Sequence, residues 1–161
     1  MRDRPQSSSD ADSLEQARAT AMRLLARREH SRLELARKLR QRQLPGVVID
    51  RVLDEFEAEA WLSDERFAEV YAEQRRGQGY GPVRILADLQ QRGIRQLPPA
   101  LRAMATDAWV EQAIRLRDRR FGLTDLADDW AERARQARFL TQRGYTSEQV
   151  ERALEVSDDT L

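Results

Sequence analysis

One short phrase occurs three times in this chain, and it restricts the fold more than anything else in the sequence. It reads Leu39-Arg40-Gln41-Arg42-Gln43-Leu44, then Leu89-Gln90-Gln91-Arg92-Gly93-Ile94, then Leu140-Thr141-Gln142-Arg143-Gly144-Tyr145. The leading leucines are 50 and 51 residues apart. A fixed period of this size marks one supersecondary unit used three times. Repeat arrays present surfaces more than they enclose reactive pockets, so a binding function is expected before a catalytic one.

The segments around each phrase have helical periodicity. Ser13 and Gln16 have capping-box spacing, and Leu14, Ala17, Ala21, Leu24 and Leu25 follow on one face. Ser31 and Glu34 open a second helix with Leu35, Ala36 and Leu39 inward, and Pro45 starts a third with Val48, Val52, Phe56 and Ala60 inward. The second repeat opens at Ser63, with Phe67, Val70 and Tyr71 inward, and stops at Gly77-Gln78-Gly79-Tyr80-Gly81. Pro82 is then a good first helical residue for a stretch carrying Ile85, Leu86 and Leu89, and Gly93 is placed to end it in the left-handed conformation. Pro98 and Pro99 open a short sixth helix with Leu101 and Met104. The third repeat has Trp109, Ala113 and Leu116 inward. A helix from about Asp125 to Arg143 follows, with Trp130, Ala134, Ala137 and Leu140 inward, and the last helix begins at the Thr146/Gln149 box. No alternating run rich in β-branched residues suggests a strand.

The fold class read from this pattern is all-α: three tandem three-helix repeats forming an elongated, curved array. The boundaries are a disordered tail over 1–12, repeats over 13–61, 62–106 and 107–156, and a C-terminal tail over 157–161. Repeats of about 45 residues are near the lower limit for an independent core, so each should lean on its neighbours.

Charge is balanced overall, with 28 basic and 28 acidic residues, yet it is distributed in blocks. Arg18 to Arg42 holds nine basic and two acidic residues, and Asp50 to Glu73 holds nine acidic and two basic. Arg75 to Arg102 is again basic, as are Arg133, Arg135, Arg138 and Arg143. Two readings fit: acidic third helices pairing with basic second helices, or a basic stripe that meets an acidic protein face or phosphates. All basic residues except Lys38 are arginine, which suits carboxylate and phosphate forks and also a GC-rich genome.

The chemistry of catalysis is not apparent. There is no cysteine, and His30 is the one histidine, so a thiolate nucleophile, a disulfide and a zinc site are not expected. Gly77-x-Gly79-x-Gly81 lacks the Gly-Lys-Ser/Thr of a phosphate loop and follows a helix, so it reads as an inter-helix loop. Neither an enzyme nor a cofactor or metal is expected. Met1 to Asp12 has no apolar segment of a secretory signal, and no run is long enough to span a membrane.

The stretch Arg75-Arg76-Gly77-Gln78-Gly79-Tyr80-Gly81-Pro82-Val83-Arg84-Ile85, followed by Leu89 and Arg92-Gly93-Ile94, closely resembles the central signature of the RecX regulatory proteins. Arg28-Glu29-His30-Ser31 with Glu34-Leu35 and Lys38-Leu39 resembles the family's first-repeat motif. Leu62-Ser63-Asp64, Arg66-Phe67-Ala68 and Tyr71 resemble the second, and Arg138-Phe139-Leu140 with Arg143-Gly144-Tyr145 the third. The resemblance spans about residues 14 to 156. Gln43 departs from it, standing where the other two phrases have glycine, and Gly46 is a candidate to replace it in the turn.

The resemblance implies a cytoplasmic modulator of the RecA recombinase. Such a protein binds RecA and its filament on DNA and suppresses ATPase, strand exchange and coprotease activities, tuning recombination and the SOS response. An array of this kind would lie in the filament groove and touch more than one protomer. The favoured contact residues are Arg75, Arg76 and Arg84 around the glycine loop, Arg37, Lys38, Arg40 and Arg42 in the first repeat, and Arg135, Arg138 and Arg143 in the third. Tyr80 is either an exposed aromatic anchor or packs over its own loop. The rival class is a helical-repeat protein acting directly on nucleic acid, and a weak direct DNA contact is compatible with either. A monomer is expected, with a domain-exchanged dimer as the alternative.

Overall fold

The structure is a computed structural model that describes residues 6–160. Among the described residues the chain is helical throughout, without a strand. The elements are α1 (Gln6–Arg27), α2 (Arg32–Gln41), α3 (Gly46–Ala58), α4 (Asp64–Gly77), α5 (Pro82–Gln90), α6 (Pro99–Arg102), α7 (Thr106–Phe121), α8 (Trp130–Gln142) and α9 (Ser147–Glu155), closed by a 3-10 turn at Asp158–Thr160. No helix among the described residues is long and apolar enough to cross a membrane.

Local sequence explains most of the helix ends. Ser31 accepts the Glu34 amide hydrogen while the Glu34 carboxylate accepts from the Ser31 amide, so both orphan donors are satisfied. Thr146 and Gln149 repeat the arrangement ahead of α9. Ser63 accepts from the Arg66 amide at 3.1 Å. Pro82 occupies the first turn of α5, where its missing amide hydrogen costs nothing. The N-terminus departs from the sequence reading: α1 begins at Gln6, so Ser13 is inside a helix instead of capping one, and the expected disordered tail is helical from residue 6. Residues 1–5 of that tail lie outside the described residues.

The turns after the three phrases are alike in conformation. Gly93 and Gly144 have φ of 82° and 96°, and Gln43 adopts 61° itself. Gly46 does not replace it; it is the first residue of α3. A side chain in the left-handed region costs on the order of 1 kcal/mol, which the first turn carries.

The chain divides into two compact units. One comprises the residues up to Val70 together with Arg92–Ile94, and the other Tyr71–Gln91 with Arg95 onward. In the first, Ala17 and Ala21 of α1 meet Leu35 and Leu39 of α2 and Val48, Ile49, Val52, Leu53 and Phe56 of α3, with Leu62 closing the cluster. Salt bridges join basic to acidic helices as one reading of the charge blocks expected. Arg32 pairs with Asp54 at 2.9 Å and Glu57 at 3.0 Å, and Arg18 with Glu55 at 2.8 Å. Ala60 is not an inner-face residue; it lies past α3 with φ 58° and is exposed. Val70 is 54% exposed, where the periodicity placed it inward.

His30 is buried in this unit, and its tautomer follows from its neighbours. The Lys38 ammonium, which can only donate, is 3.0 Å from Nε2. Nε2 therefore accepts, and the ring proton sits on Nδ1, which donates to the Arg28 carbonyl at 3.1 Å. Burial holds the His30 pKa below its ordinary value, with the Arg28 and Lys38 charges acting the same way.

In the second unit Ile85, Leu89, Trp109, Ala113, Leu116, Leu140, Val150 and Leu154 form the apolar interior. Arg117 of α7 is completely buried among them. Its Nε donates to the Gln136 side-chain oxygen at 2.8 Å and its Nη2 to the Thr124 carbonyl at 2.9 Å. Its Nη1 donates to the carbonyls of Ala153 and Val156. The last two are carbonyls at the end of α9 that have no partner within the helix, so this side chain caps α9 from the interior. Residues 157–160 are part of this packing: Ser157 is buried and the Asp158 amide donates to the Leu123 carbonyl at 2.9 Å. Leu161 lies outside the described residues. α8 begins at Trp130 instead of Asp125, and Trp130 is 82% exposed, not inward; the fully buried positions of α8 are Gln136 and Leu140.

Two predictions follow from these contacts. A Cβ at Gly144 would overlap the Cβ of Arg84 and come within 2.5 Å of its backbone nitrogen, in a conformation that L-residues resist. Gly144→Ala is expected to lower the melting temperature by about 5 °C or more, whereas Gly77→Ala, where a Cβ meets nothing within 4 Å, leaves it unchanged or raises it by about a degree. Because folded His30 binds its proton less readily than the unfolded residue, its contribution to stability is complete above about pH 6.5 and falls as pH drops below that value. Urea melts of the intact chain and of His30→Gln at a series of pH values should differ in slope over this range, and an NMR titration should place the His30 midpoint below 6.5.

Candidate partner-binding site

The glycine loop between α4 and α5 is fixed by backbone contacts within the second unit. The Gly81 amide donates to the Arg143 carbonyl at 2.8 Å and the Val83 amide to the Gly144 carbonyl at 2.9 Å. A Cβ at Gly81 would stand 2.5 Å from the Gly144 carbonyl carbon and oxygen, so the two segments can approach only because both positions are glycine. Gly79 takes φ 93°, and its carbonyl accepts from the Tyr145 hydroxyl at 2.8 Å. Gln112 of α7 donates from Nε2 to that hydroxyl at 2.8 Å and to the Tyr80 carbonyl at 3.0 Å. Burial raises the Tyr145 pKa, which keeps the phenol protonated as a donor.

On this rigid base Tyr80 is half-buried and ringed by cations. The Arg75 guanidinium lies 4.0 Å from its centroid, Arg143 at 5.2 Å and Arg84 at 5.3 Å. Such contacts contribute about 0.5–2 kcal/mol each and hold the arginine planes in place. Arg75 also pairs with Asp88 at 3.0 Å, and Arg84 approaches the same carboxylate at 3.4 Å. Tyr80 thus packs among the arginines of its own loop and its neighbours, which agrees with the second of the two readings of its role.

The other expected contact residues are placed as follows. Arg76 pairs with Glu73 and is turned toward Gln112. Arg135 of α8 pairs with Glu132 at 3.2 Å and lies 5.3 Å from the Phe121 centroid. Arg138 is exposed on the same helix. Arg37, Lys38, Arg40 and Arg42 belong to the first unit; Arg37, Arg40 and Arg42 are exposed, while the Lys38 ammonium is held by His30. Among the eleven, Arg75, Arg84 and Arg143 converge on Tyr80. Sequence reasoning passed over Tyr145 and Gln112, which set the loop. The one signal available was that the third phrase ends in tyrosine where the others end in Leu44 and Ile94.

Models of the three RecX domains match this chain in order: the first three-helix domain over residues 17–56, the second over 63–96 and the third over 107–154. The chain belongs to the RecX family. Regulatory protein RecX of Pseudomonas savastanoi pv. phaseolicola is 48% identical over 139 residues, covering 85% of this chain and 88% of that protein. The RecX protein of Halorhodospira halophila is 42% identical over 147 residues, covering 90% of each. The crystal structure of RecX from Lactobacillus salivarius has the same fold, with a TM-score of 0.74 at 18% identity, covering 89% of this chain and 96% of that one. RecX membership establishes the fold class as all-helical with three tandem three-helix domains, and it makes the chain a member of a family of regulatory proteins.

Tyr145→Phe removes the bond to Gly79 and one partner of buried Gln112. It is expected to cost about 1–3 kcal/mol in a denaturant melt and to increase amide exchange at Gly79 and Tyr80.

Proposed function

We propose that this chain is a negative regulator of RecA. It binds RecA and its filament on DNA in the cytoplasm and inhibits the ATPase, strand-exchange and coprotease activities, which tunes recombination and the SOS response. Membership of a family of regulatory proteins named RecX supports this reading. The observation that carries a binding role for this region is the cluster of Arg84 and Arg143 about Tyr80, 5.3 and 5.2 Å from its centroid, on a loop locked by backbone hydrogen bonds. Arginine and tyrosine held in fixed geometry lose little entropy on contact, which is the condition for an interface hot spot.

The test is RecA's DNA-dependent ATPase with this protein added below stoichiometry. The intact chain should lower the rate. Arg84→Ala, which keeps the Cβ packed against Gly144, should raise the concentration needed for inhibition by about tenfold without changing helicity. Arg75 and Arg76 are less suitable probes, because they are more buried than Arg84 and their pairs with Asp88 and Glu73 are shorter than its 3.4 Å contact with Asp88. An unchanged ATPase would overturn the proposal. Binding to free DNA with a salt slope near −0.9 per phosphate contacted would indicate direct action on nucleic acid instead.

A further inference from the structure

The contacts about Tyr80 continue along α7 and α8. Arg143 lies 5.2 Å from the Tyr80 centroid and 5.3 Å from that of Phe139. Arg120 lies 5.9 Å from Phe139 and 5.3 Å from Phe121, and the two phenylalanines meet edge to face at 5.2 Å. Aromatic rings and guanidinium groups thus alternate in one connected row. Arg119 flanks the row at its loop end, 4.0 Å from the position a Cβ on Gly79 would take, and the charges of Arg143, Arg115 and Arg119 all act on the Tyr145 hydroxyl beneath. Arg138 is three residues from Arg135 on α8, so helical geometry puts both on one side.

Arg115, Arg119, Arg120, Arg138 and Arg143 have no carboxylate partner among the described residues, although most arginines packed against the two cores do. Four of them are exposed and Arg143 is half-buried. Stacking on a ring occupies the plane of a guanidinium and leaves its in-plane N–H edge for a carboxylate or phosphate.

We propose that this face of α7 and α8 is a docking surface for an acidic segment of a protein partner. The proposal rests on the regulatory reading for its biological purpose, and on the geometry for its chemistry. Two observations favour a peptide over a nucleic acid. Arginines lie over Tyr80, Phe121 and Phe139, which leaves bases little free ring face on which to stack. Carboxylates stand among the arginines, with Asp88 beside Arg84, Glu132 beside Arg135 and Asp118 exposed next to Arg119. A phosphate backbone carries a charge at every step and cannot avoid these positions, whereas a peptide can set its acidic side chains against the unpaired arginines and neutral ones near the carboxylates.

The experiment measures fluorescence anisotropy of the full chain with a labelled glutamate-rich peptide and with an oligothymidylate of equal charge. The intact chain should bind the peptide more tightly. Reversing Arg115, Arg119 and Arg138 together to Glu should weaken peptide binding by about tenfold or more, while reversing Arg27, Arg51 and Arg95, an equal change of net charge, should leave it within about twofold. Circular dichroism checks the fold, and the Ala triple at the same positions supplies the comparison where the reversed protein does not fold. Equal loss in both triples, or tighter binding of the oligothymidylate by the intact chain, overturns the proposal. RecA ATPase is read separately. Inhibition that survives in the binding-face triple removes this surface and leaves the regulatory reading standing; peptide binding that follows these arginines without any effect on RecA removes the regulatory reading alone.

Discussion

Gly81 and Gly144 bring two segments of the second unit into backbone contact, and the candidate site depends on it. Two amide hydrogen bonds fasten the start of α5 to the turn that ends α8. That contact brings Tyr80 and Arg84 from one segment beside Arg143 from another, more than fifty residues away in the chain. A methyl group on either glycine would come within 2.5 Å of the facing backbone, so the two segments would have to move apart. The same turn conformation that ends α2 and α5 is here put to a second use, as a receptor for a loop.

The arginines divide into those paired within the fold and those without a carboxylate partner among the described residues. Arg32, Arg66, Arg75, Arg76 and Arg152 each meet a carboxylate within the protein, and Arg117 meets only neutral oxygens in the interior. Partly exposed pairs of this kind contribute little each, so they tune the packing of helices already driven together by apolar burial. Composition alone could not make this division, because one residue type stands on both sides of it.

Much of the fold was legible because it is written locally. The two capping boxes and Pro82 act over three or four residues, and the apolar stripes of α2, α3 and α7 fall where a period of 3.6 puts them. The readings that differ have tertiary causes. Gln43 is left-handed because the turn requires it, against the residue's own preference. Trp130 has the right spacing to face inward, but the buried stretch of α8 centres on Gln136, a polar residue that periodicity does not count and that is buried as the acceptor for Arg117. Of the site, the arginines and Tyr80 were readable from the motif. Tyr145 and Gln112 were not, since the hydroxyl–amide–carbonyl contact joins positions 33 and 66 residues apart.

Arg117 also bears on how the chain is made. Its acceptors at Ala153 and Val156 are 36 and 39 residues further along. In a polypeptide emerging N-terminus first, α7 is made before those carbonyls, so until α9 follows two of the four acceptors of this guanidinium are missing and burying it is unfavourable. The interior of the third domain is complete only once α9 is in place.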